Sequence, residues 1–445
     1  MRLFHASLLL FALTYSALAT SLTAPLLPSE AHITVLHTSI PLASEELEDD
    51  PPPIPTVDLV TPPEDLWQRV RNGFSMPDLD SPLVASQQAW YLNHPQYLQR
   101  VFERAHRYLY YIVSELEKRG MPTELALLPI IESAYNPQAR SPARALGIWQ
   151  FIPSTGKNYN LKQNAWIDER RDIVASTQAA LDYLQYIYEM HGDWQLVLAS
   201  YNWGEGAVAR AIDKNLAKGL PTDYSSLRMP TETRNYVPRL QAIKNIVANP
   251  QLFGISLEPI PNQPYFSVVE RDGDMDVAIA ARLAGIPITE FLALNPAYNR
   301  PVIPDSANNP LILPADKVET FMENLQDHEA RDKPLSTWHT YRLGARETLA
   351  SVAKRHGLTL ARLKQLNGLG RRSKVYPGMT LLIPSKGTML GDELITQLPP
   401  PAPERTAGKV KTTRSSKAAA TVKKRPRGTV RGTKKPPLTA SRKRR

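Results

Sequence analysis

The chain has 445 residues, enough for two to four domains, and its 42 % hydrophobic and 22 % charged residues are ordinary for a globular protein. It contains no cysteine, which excludes disulfides, thiolate metal sites, a cysteine nucleophile and a lipid-modified cysteine. Of the 53 Lys and Arg residues behind the net charge of +10, 16 lie after Glu404, where no acidic residue occurs; the rest of the chain holds 37 basic against 43 acidic side chains, a net of −6, so a mildly acidic body carries a strongly basic tail.

Residues 1–19 read as a secretory signal peptide. Arg2 and His5 give a weakly basic start, Leu8 to Ala12 an apolar stretch, and Ala17-Leu18-Ala19 a small-x-small cleavage site. A short membrane anchor is the competing reading, but the apolar run is brief and interrupted. No other segment reaches about 18 apolar residues, so no transmembrane helix is predicted. The expected location is outside the cytoplasm, in the periplasm or cell envelope. Residues 20–63 form a predicted disordered leader: Pro51-Pro52-Pro53, Pro55, Pro62 and Pro63 oppose helix and strand, and Glu45 to Asp50 is acidic.

Order is expected to begin near Glu64 to Trp67 and to run to about residue 250 as a mainly α domain. Over 97–116, Tyr97, Leu98, Val101, Phe102, Ala105, Tyr108, Leu109, Ile112, Val113 and Leu116 mark one helical face. Gly120 and Pro122 end that helix. Leu125 to Ala134 is apolar almost throughout, a buried helix. An amphipathic helix is predicted over 173–190 with Gly192 as its stop, and further helices over 194–202, 206–216 and 235–248. No strand is predicted between 64 and 250.

Residues 265–315 and 338–384 resemble each other. Each has a β-like run (Phe266 to Val269; Thr340 to Leu343), two short helical runs, a Leu-Asn pair (Leu294-Asn295; Leu366-Asn367), and a closing apolar run that ends in Pro314 or Pro384. Strand, helix, helix, strand is the simplest reading, so the two copies are small α+β (βααβ) units. Residues 317–336 read as a charged spacer with helical tendency. Residues 390–445 form a predicted disordered basic tail.

Glu132 ends the run Leu125-Ala126-Leu127-Leu128-Pro129-Ile130-Ile131. Burial disfavours its charged form, and a helix C-terminus pushes the same way. A carboxyl kept protonated near neutral pH is what a glycosidase needs to protonate a leaving oxygen. By position alone, an exposed glutamate at a helix end is the simpler reading. The context changes this. Glu132-Ser133-Ala134-Tyr135-Asn136-Pro137 is followed by Ser141, then by Gly147-Ile148-Trp149-Gln150-Phe151-Ile152-Pro153-Ser154-Thr155-Gly156, Ala199-Ser200-Tyr201-Asn202-Trp203-Gly204 and Glu232-Thr233-Arg234-Asn235-Tyr236-Val237. These four blocks, in this order over roughly residues 95–250, resemble the soluble-lytic-transglycosylase family, whose fold is similar to goose-type lysozyme. The two repeats resemble LysM modules, the second more closely. Some enzymes of this arrangement are lipoproteins, which a chain without cysteine cannot be.

The resemblance implies cleavage of the MurNAc-GlcNAc β-1,4 bond of peptidoglycan. Glu132 would protonate the glycosidic oxygen and then take a proton from the sugar's own 6-hydroxyl, leaving a 1,6-anhydro-MurNAc end. The substrate supplies the nucleophile, so no second carboxylate is required. It also implies that Ser141, Gln150, Tyr201, Asn202 and Tyr236 line the cleft. Gln150 and Asn202 suit N-acetyl and hydroxyl groups, and Tyr236 would hold Glu132. The bland alternatives are core aromatics for Tyr201 and Tyr236 and a helix-end role for Asn202. Trp149 and Phe151 read as packing, and Asp168, Glu169 and Asp172, interleaved with Arg170 and Arg171, as structural ion pairs. The nine histidines form no metal-binding pair at helical spacing. No phosphate loop or nucleophile elbow is present, so neither metal nor cofactor is expected. The expected partners are peptidoglycan glycan strands for the catalytic domain and both modules. For the tail they are anionic envelope polymers or lipid head groups in preference to nucleic acid, or no single partner. For both modules, and above all the first, a purely structural spacer is the alternative. The rival functions are a hydrolytic muramidase and a non-catalytic peptidoglycan-binding protein.

Overall fold

The computed structural model describes residues 63–385, apart from 272, 306–309 and 371–372. The signal peptide, the leader up to residue 62 and the basic tail expected from the sequence lie outside the described residues.

Up to residue 253 the chain is helical. In order come α1 (Leu66–Asn72), α2 (Pro82–Leu92), α3 (Pro95–Ala105), α4 (Leu109–Lys118), α5 (Leu128–Ser133), α6 (Pro153–Asn158), α7 (Ile173–His191), α8 (Trp194–Trp203), α9 (Glu205–Leu216), α10 (Thr231–Arg234) and α11 (Tyr236–Ala248). Local chemistry sets many of the ends. Asp65, Ser81, Asp172 and Asp193 accept from backbone N–H groups at the starts of α1, α2, α7 and α8. Gly192 closes α7 in a left-handed conformation.

Two predicted helices divide. The 97–116 run is α3 and α4, broken at His106-Arg107-Tyr108, where Arg107 and Tyr108 turn to partners near residue 290. The buried run from Leu125 is a 3₁₀ turn, Thr123–Leu127, followed by α5. Pro129 explains this division: its ring would meet the carbonyl four residues back in a continuous helix, but it is tolerated in a first turn. α2 and α6 were not predicted, although Ser81-Pro82 is a legible helix start. No named strand lies between 64 and 250 among the described residues.

The two repeats follow. The first contains β1 (Phe266–Val269), β2 (Met275–Asp276), α12 (Val277–Leu283), α13 (Ile288–Leu294), β3 (Val302–Ile303) and β4 (Leu311–Pro314). β1 pairs antiparallel with β4, and the short β2 pairs with β3. After α14 (Val318–Ala330), the second repeat runs through β5 (Trp338–Arg342), α15 (Leu349–Arg355), α16 (Leu360–Leu366) and β6 (Thr380–Pro384), with β5 and β6 antiparallel. One asparagine locks each copy in the same way. Asn295 donates to the Ile312 carbonyl (2.7 Å) and accepts from the Ile312 amide (2.9 Å); Asn367 does so with Leu382.

α14 is not a spacer. It packs on α12 and buries Phe321 completely in the first repeat's core, so that repeat extends past residue 315. Nor is the first repeat a bead on a string. Phe266, Leu294 and Ile312 belong to the core of the helical domain, and Ile167 of that domain belongs to the repeat's core. Arg107 forms an ion pair with Glu290 through three hydrogen bonds (2.6–3.0 Å), and the Tyr108 hydroxyl donates to the Ala293 carbonyl (2.9 Å).

Phe321→Ala is therefore expected to cost about 3–5 kcal/mol of unfolding free energy, as for other buried rings. Urea unfolding followed by circular dichroism measures this, and an unchanged midpoint would return α14 to the status of a linker.

Candidate functional site

Glu132 is the fifth residue of the six-residue α5. The helix ends abruptly because Ala134 and Tyr135 both take the left-handed conformation (φ 53° for each). Arg144 and Gln150 do so too, which gathers four of the six positive-φ non-glycine residues of the described chain into 134–150. Such backbone is costly for non-glycine residues and collects at functional sites. Here it turns the chain away directly after Glu132. The Ser133 hydroxyl, to which the sequence assigned no role, ties the end of α5 to the next block by donating to the Ile148 carbonyl (2.9 Å).

The Glu132 side chain is partly accessible, but its carboxyl is enclosed by protein, and this burial pushes its pKa from 4.5 up to about 7. The Tyr236 hydroxyl donates to Glu132 Oε1 and, with the more distant charge of Arg239, opposes the rise. The charge of Glu232, exposed on α10, adds to it. Tyr236 stands at the first position of α11, so its hydroxyl reaches α5 across 104 residues of sequence. Tyr201, on α8, donates to the Trp149 carbonyl (2.8 Å). Burial and the Glu132 charge hold both tyrosines far above their ordinary pKa, so they remain neutral donors. Of the sequence-predicted residues, Tyr236 thus bonds the Glu132 carboxyl directly, and Tyr201 lies near enough to feel its charge.

Ser141, Gln150 and Asn202 are also half-buried, but each has a bond that shapes the site. Ser141 Oγ accepts from the Ala145 amide (3.1 Å), closing a tight loop. Gln150 Nε2 donates to the carbonyls of Gly147 (2.8 Å) and Ala139 (3.3 Å), so its amide nitrogen is tied to its own loop. Asn202 Oδ1 accepts from Thr233 Oγ1 (2.8 Å), which joins the third and fourth blocks and leaves the amide nitrogen to donate. Trp149 and Phe151 are buried, with Trp149 Nε1 donating to Thr177 Oγ1 (3.0 Å), so they pack. Gly147 is required: at φ 81°, a Cβ would stand 2.0 Å from the Arg170 carbonyl.

The acidic cluster is structural. Asp168 and Arg170 form a buried ion pair (2.7 Å), Glu169 pairs with Lys162 (3.4 Å), and Asp172 caps α7 through the Ala175 amide (2.8 Å). Sequence reasoning missed an aromatic run that leads away from Glu132. The Tyr201, Tyr183 and Tyr159 rings follow one another at 5.5 and 5.2 Å, and the Tyr183 hydroxyl donates to Glu205 (2.7 Å). Its residues are far apart in sequence and no local period marks them. Among the described residues, no group of three or more His, Asp or Glu side chains could hold a metal ion. No single described helix is long and apolar enough to cross a membrane.

A mainly helical domain with an enclosed glutamate, followed by two small asparagine-locked repeats, defines a transglycosylase-type chain with LysM modules. Residues 110–220 match the transglycosylase SLT domain, residues 265–330 the LysM-like domain of lytic transglycosylase MltD, and residues 341–384 the LysM domain. The second of these matches includes α14 with the first repeat. The chain is 37 % identical over 334 residues to the membrane-bound lytic murein transglycosylase D of Escherichia coli K12, covering 73 % of this chain and 74 % of that protein. It is 29 % identical over 163 residues to the membrane-bound lytic murein transglycosylase C of Glaesserella parasuis (33 % and 41 % of the two chains). It is 28 % identical over 122 residues to the soluble lytic murein transglycosylase of E. coli K12 (26 % and 18 %). The chain belongs to the membrane-bound lytic murein transglycosylase D family.

The raised pKa of Glu132 predicts a pH-dependent stability difference. The folded state binds this proton more tightly than the unfolded chain does. The stability so contributed is complete below 4.5 and is lost as pH rises through about 7. Glu132→Gln carries no titrating group, so it should gain stability relative to the parent between pH 4 and pH 8. Urea midpoints at the two pH values test this; a constant difference would mean an ordinary carboxylate.

Proposed function

We propose that the protein is a lytic transglycosylase that cleaves the MurNAc-GlcNAc β-1,4 bond of peptidoglycan and leaves 1,6-anhydro-MurNAc ends. The observation that carries the reading is the enclosed Glu132 carboxyl, with a pKa of about 7, gripped by a neutral tyrosine. At that pKa a substantial fraction is protonated near neutral pH, yet the conjugate base is still strong enough to take a proton back. In the first step the Glu132 proton passes to the glycosidic oxygen and the bond to C1 of MurNAc breaks. In the second the carboxylate takes the proton of the 6-hydroxyl as O6 bonds to C1. Proton and electron pairs balance, and Glu132 returns to its starting state. Because nucleophile and electrophile share one sugar, positioning replaces the second carboxylate that a hydrolase needs.

Tyr236 orients the carboxyl and stabilises its anion after the first transfer. Gln150 Oε1, the Asn202 amide and the Ser141 hydroxyl supply the polar contacts for N-acetyl and hydroxyl groups. The LysM modules bind glycan of the same polymer. The protein acts in the periplasm or cell envelope after export, and its basic tail meets anionic envelope polymers or lipid head groups. Family membership and the matched SLT and LysM domains support the reading.

Mass spectrometry of soluble products from isolated peptidoglycan decides it. The expected products are one water lighter than hydrolytic muropeptides, and Glu132→Gln should reduce their rate of release by about 10²–10⁴-fold. Full-weight reducing ends would move the mechanism to water attack. Undiminished release by the variant would remove Glu132 from the chemistry.

A further inference from the structure

The loop 164–171 of the helical domain faces two ways. Inward, Arg170 pairs with Asp168 through Nε (2.9 Å) and Nη2 (2.7 Å), and its Nη1 donates to the carbonyls of Arg144 (2.9 Å) and Phe151 (3.2 Å). The first carbonyl belongs to the strained segment that carries Ser141 and Gln150, the second directly follows it, and Gly147 of that segment lies against the Arg170 backbone. The buried pair is thus the strut behind the predicted sugar-binding loop.

Outward, the same loop is the landing site of the first LysM module. The Asp168 amide donates to the Ala297 carbonyl (2.9 Å), and the Asn299 amide to the Trp166 carbonyl (2.8 Å). Asn299 Nδ2 donates to the Asn164 carbonyl (3.1 Å). Both side-chain hydrogen bonds of the buried Arg171 go to the module, to Asn299 Oδ1 and the Ala297 carbonyl. Ala297, Tyr298, Asn299 and Arg300 are all buried. Asp168 therefore takes part in the strut with its carboxylate and in the docking with its amide.

We propose that the first LysM module braces the active-site loop, with Asn299 and Arg171 as positioning residues that act through the Asp168–Arg170 pair. In this role the module sets turnover as well as tethering the enzyme to the wall. The link is short, since Asp168 bonds to both sides and Arg170 and Arg171 are adjacent, and packed interiors transmit displacement rather than absorb it. The proposal rests on the Glu132 cleft being the site of cleavage.

The test uses the full chain and a soluble peptidoglycan glycan oligomer too short to span the modules, with kcat and KM measured separately. Asn299→Ala removes the acceptor for Arg171 and the donor to Asn164. It is expected to lower kcat about tenfold with KM changed less than about twofold, the signature of a misplaced loop. Hydrogen exchange should quicken at the 139–151 amides while α7 and α11 stay protected. Asn299→Asp, which keeps the acceptor, should recover most of the rate. Ser336→Ala, at the contact between the two modules, should leave kcat unchanged. Normal kcat in Asn299→Ala, with faster exchange confined to 297–302, would overturn the proposal and leave a docked but passive module. If Asn299→Ala does not fold, Arg171→Lys carries the same test. Wild-type rates in Glu132→Gln would instead sink the catalytic assignment, whatever Asn299→Ala does.

Discussion

The site depends on holding one carboxyl out of water without leaving it unpaired. Desolvation alone would push a carboxyl far up and make it a weak acid that never ionises at neutral pH; a close cation would pull it down and leave it ionised, with no proton to give. Tyr236 lies between these limits. A neutral hydroxyl donates to the carboxylate without adding a charge, and burial keeps that hydroxyl from ionising. The result needs α5, α8 and α11, which come from separate parts of the chain and are joined through the common core. The apolar character of α5 therefore sets the raised pKa of Glu132 as well as the packing.

The same economy explains the charged residues that are buried. A buried ion pair rarely adds stability over apolar packing, and its loss leaves an uncompensated charge. Asp168 and Arg170 are nevertheless only 2 % and 4 % exposed in their side chains. What leucines could not do is what Arg170, held by Asp168, does: it donates to the carbonyls of Arg144 and Phe151. The segment 134–150 is neither helix nor paired strand over most of its length; turns within it satisfy several of its carbonyls, and Arg170 serves that of Arg144. An irregular loop that presents Ser141 and Gln150 is built by spending polar groups behind it.

Much of this was legible in the sequence because it is local or motif-borne. Glu132, Tyr201 and Tyr236 sit in quoted blocks, and the structure brings them together. Trp149 and Phe151 were read as packing and are buried. The repeats were visible because their apolar runs and Leu-Asn pairs recur, although the use of Asn295 and Asn367 as strand locks required the fold. Illegible features depend on distance. The break at 106–108 follows from partners near residue 290, and amphipathic spacing runs straight through it. α14 reads as a spacer in sequence because a helix that buries chiefly one ring, Phe321, has a charged sequence. The hydrogen bonds of Ser141 and Gln150 to their own loop could not be separated in sequence from bonds to a sugar, since the same donors and acceptors serve both.

The arrangement of the modules bears on how a processing enzyme meets a polymer. A flexible tether raises local substrate concentration, but it leaves the strand free to enter the cleft in many orientations. Here Trp166 of the catalytic domain packs with Val302 of the first module and with Trp338, Leu366 and Leu382 of the second, so three parts of the chain share one apolar cluster. Asp276 accepts from Ser336 (2.9 Å) and from the Thr337 amide (3.0 Å), fixing the second module on the first. Arg300 Nη1 adds a bond to the Leu366 carbonyl (3.2 Å). A glycan held on the second module is then presented at a set position relative to Glu132. The ordering entropy of that presentation has been spent in folding rather than at each encounter with the wall.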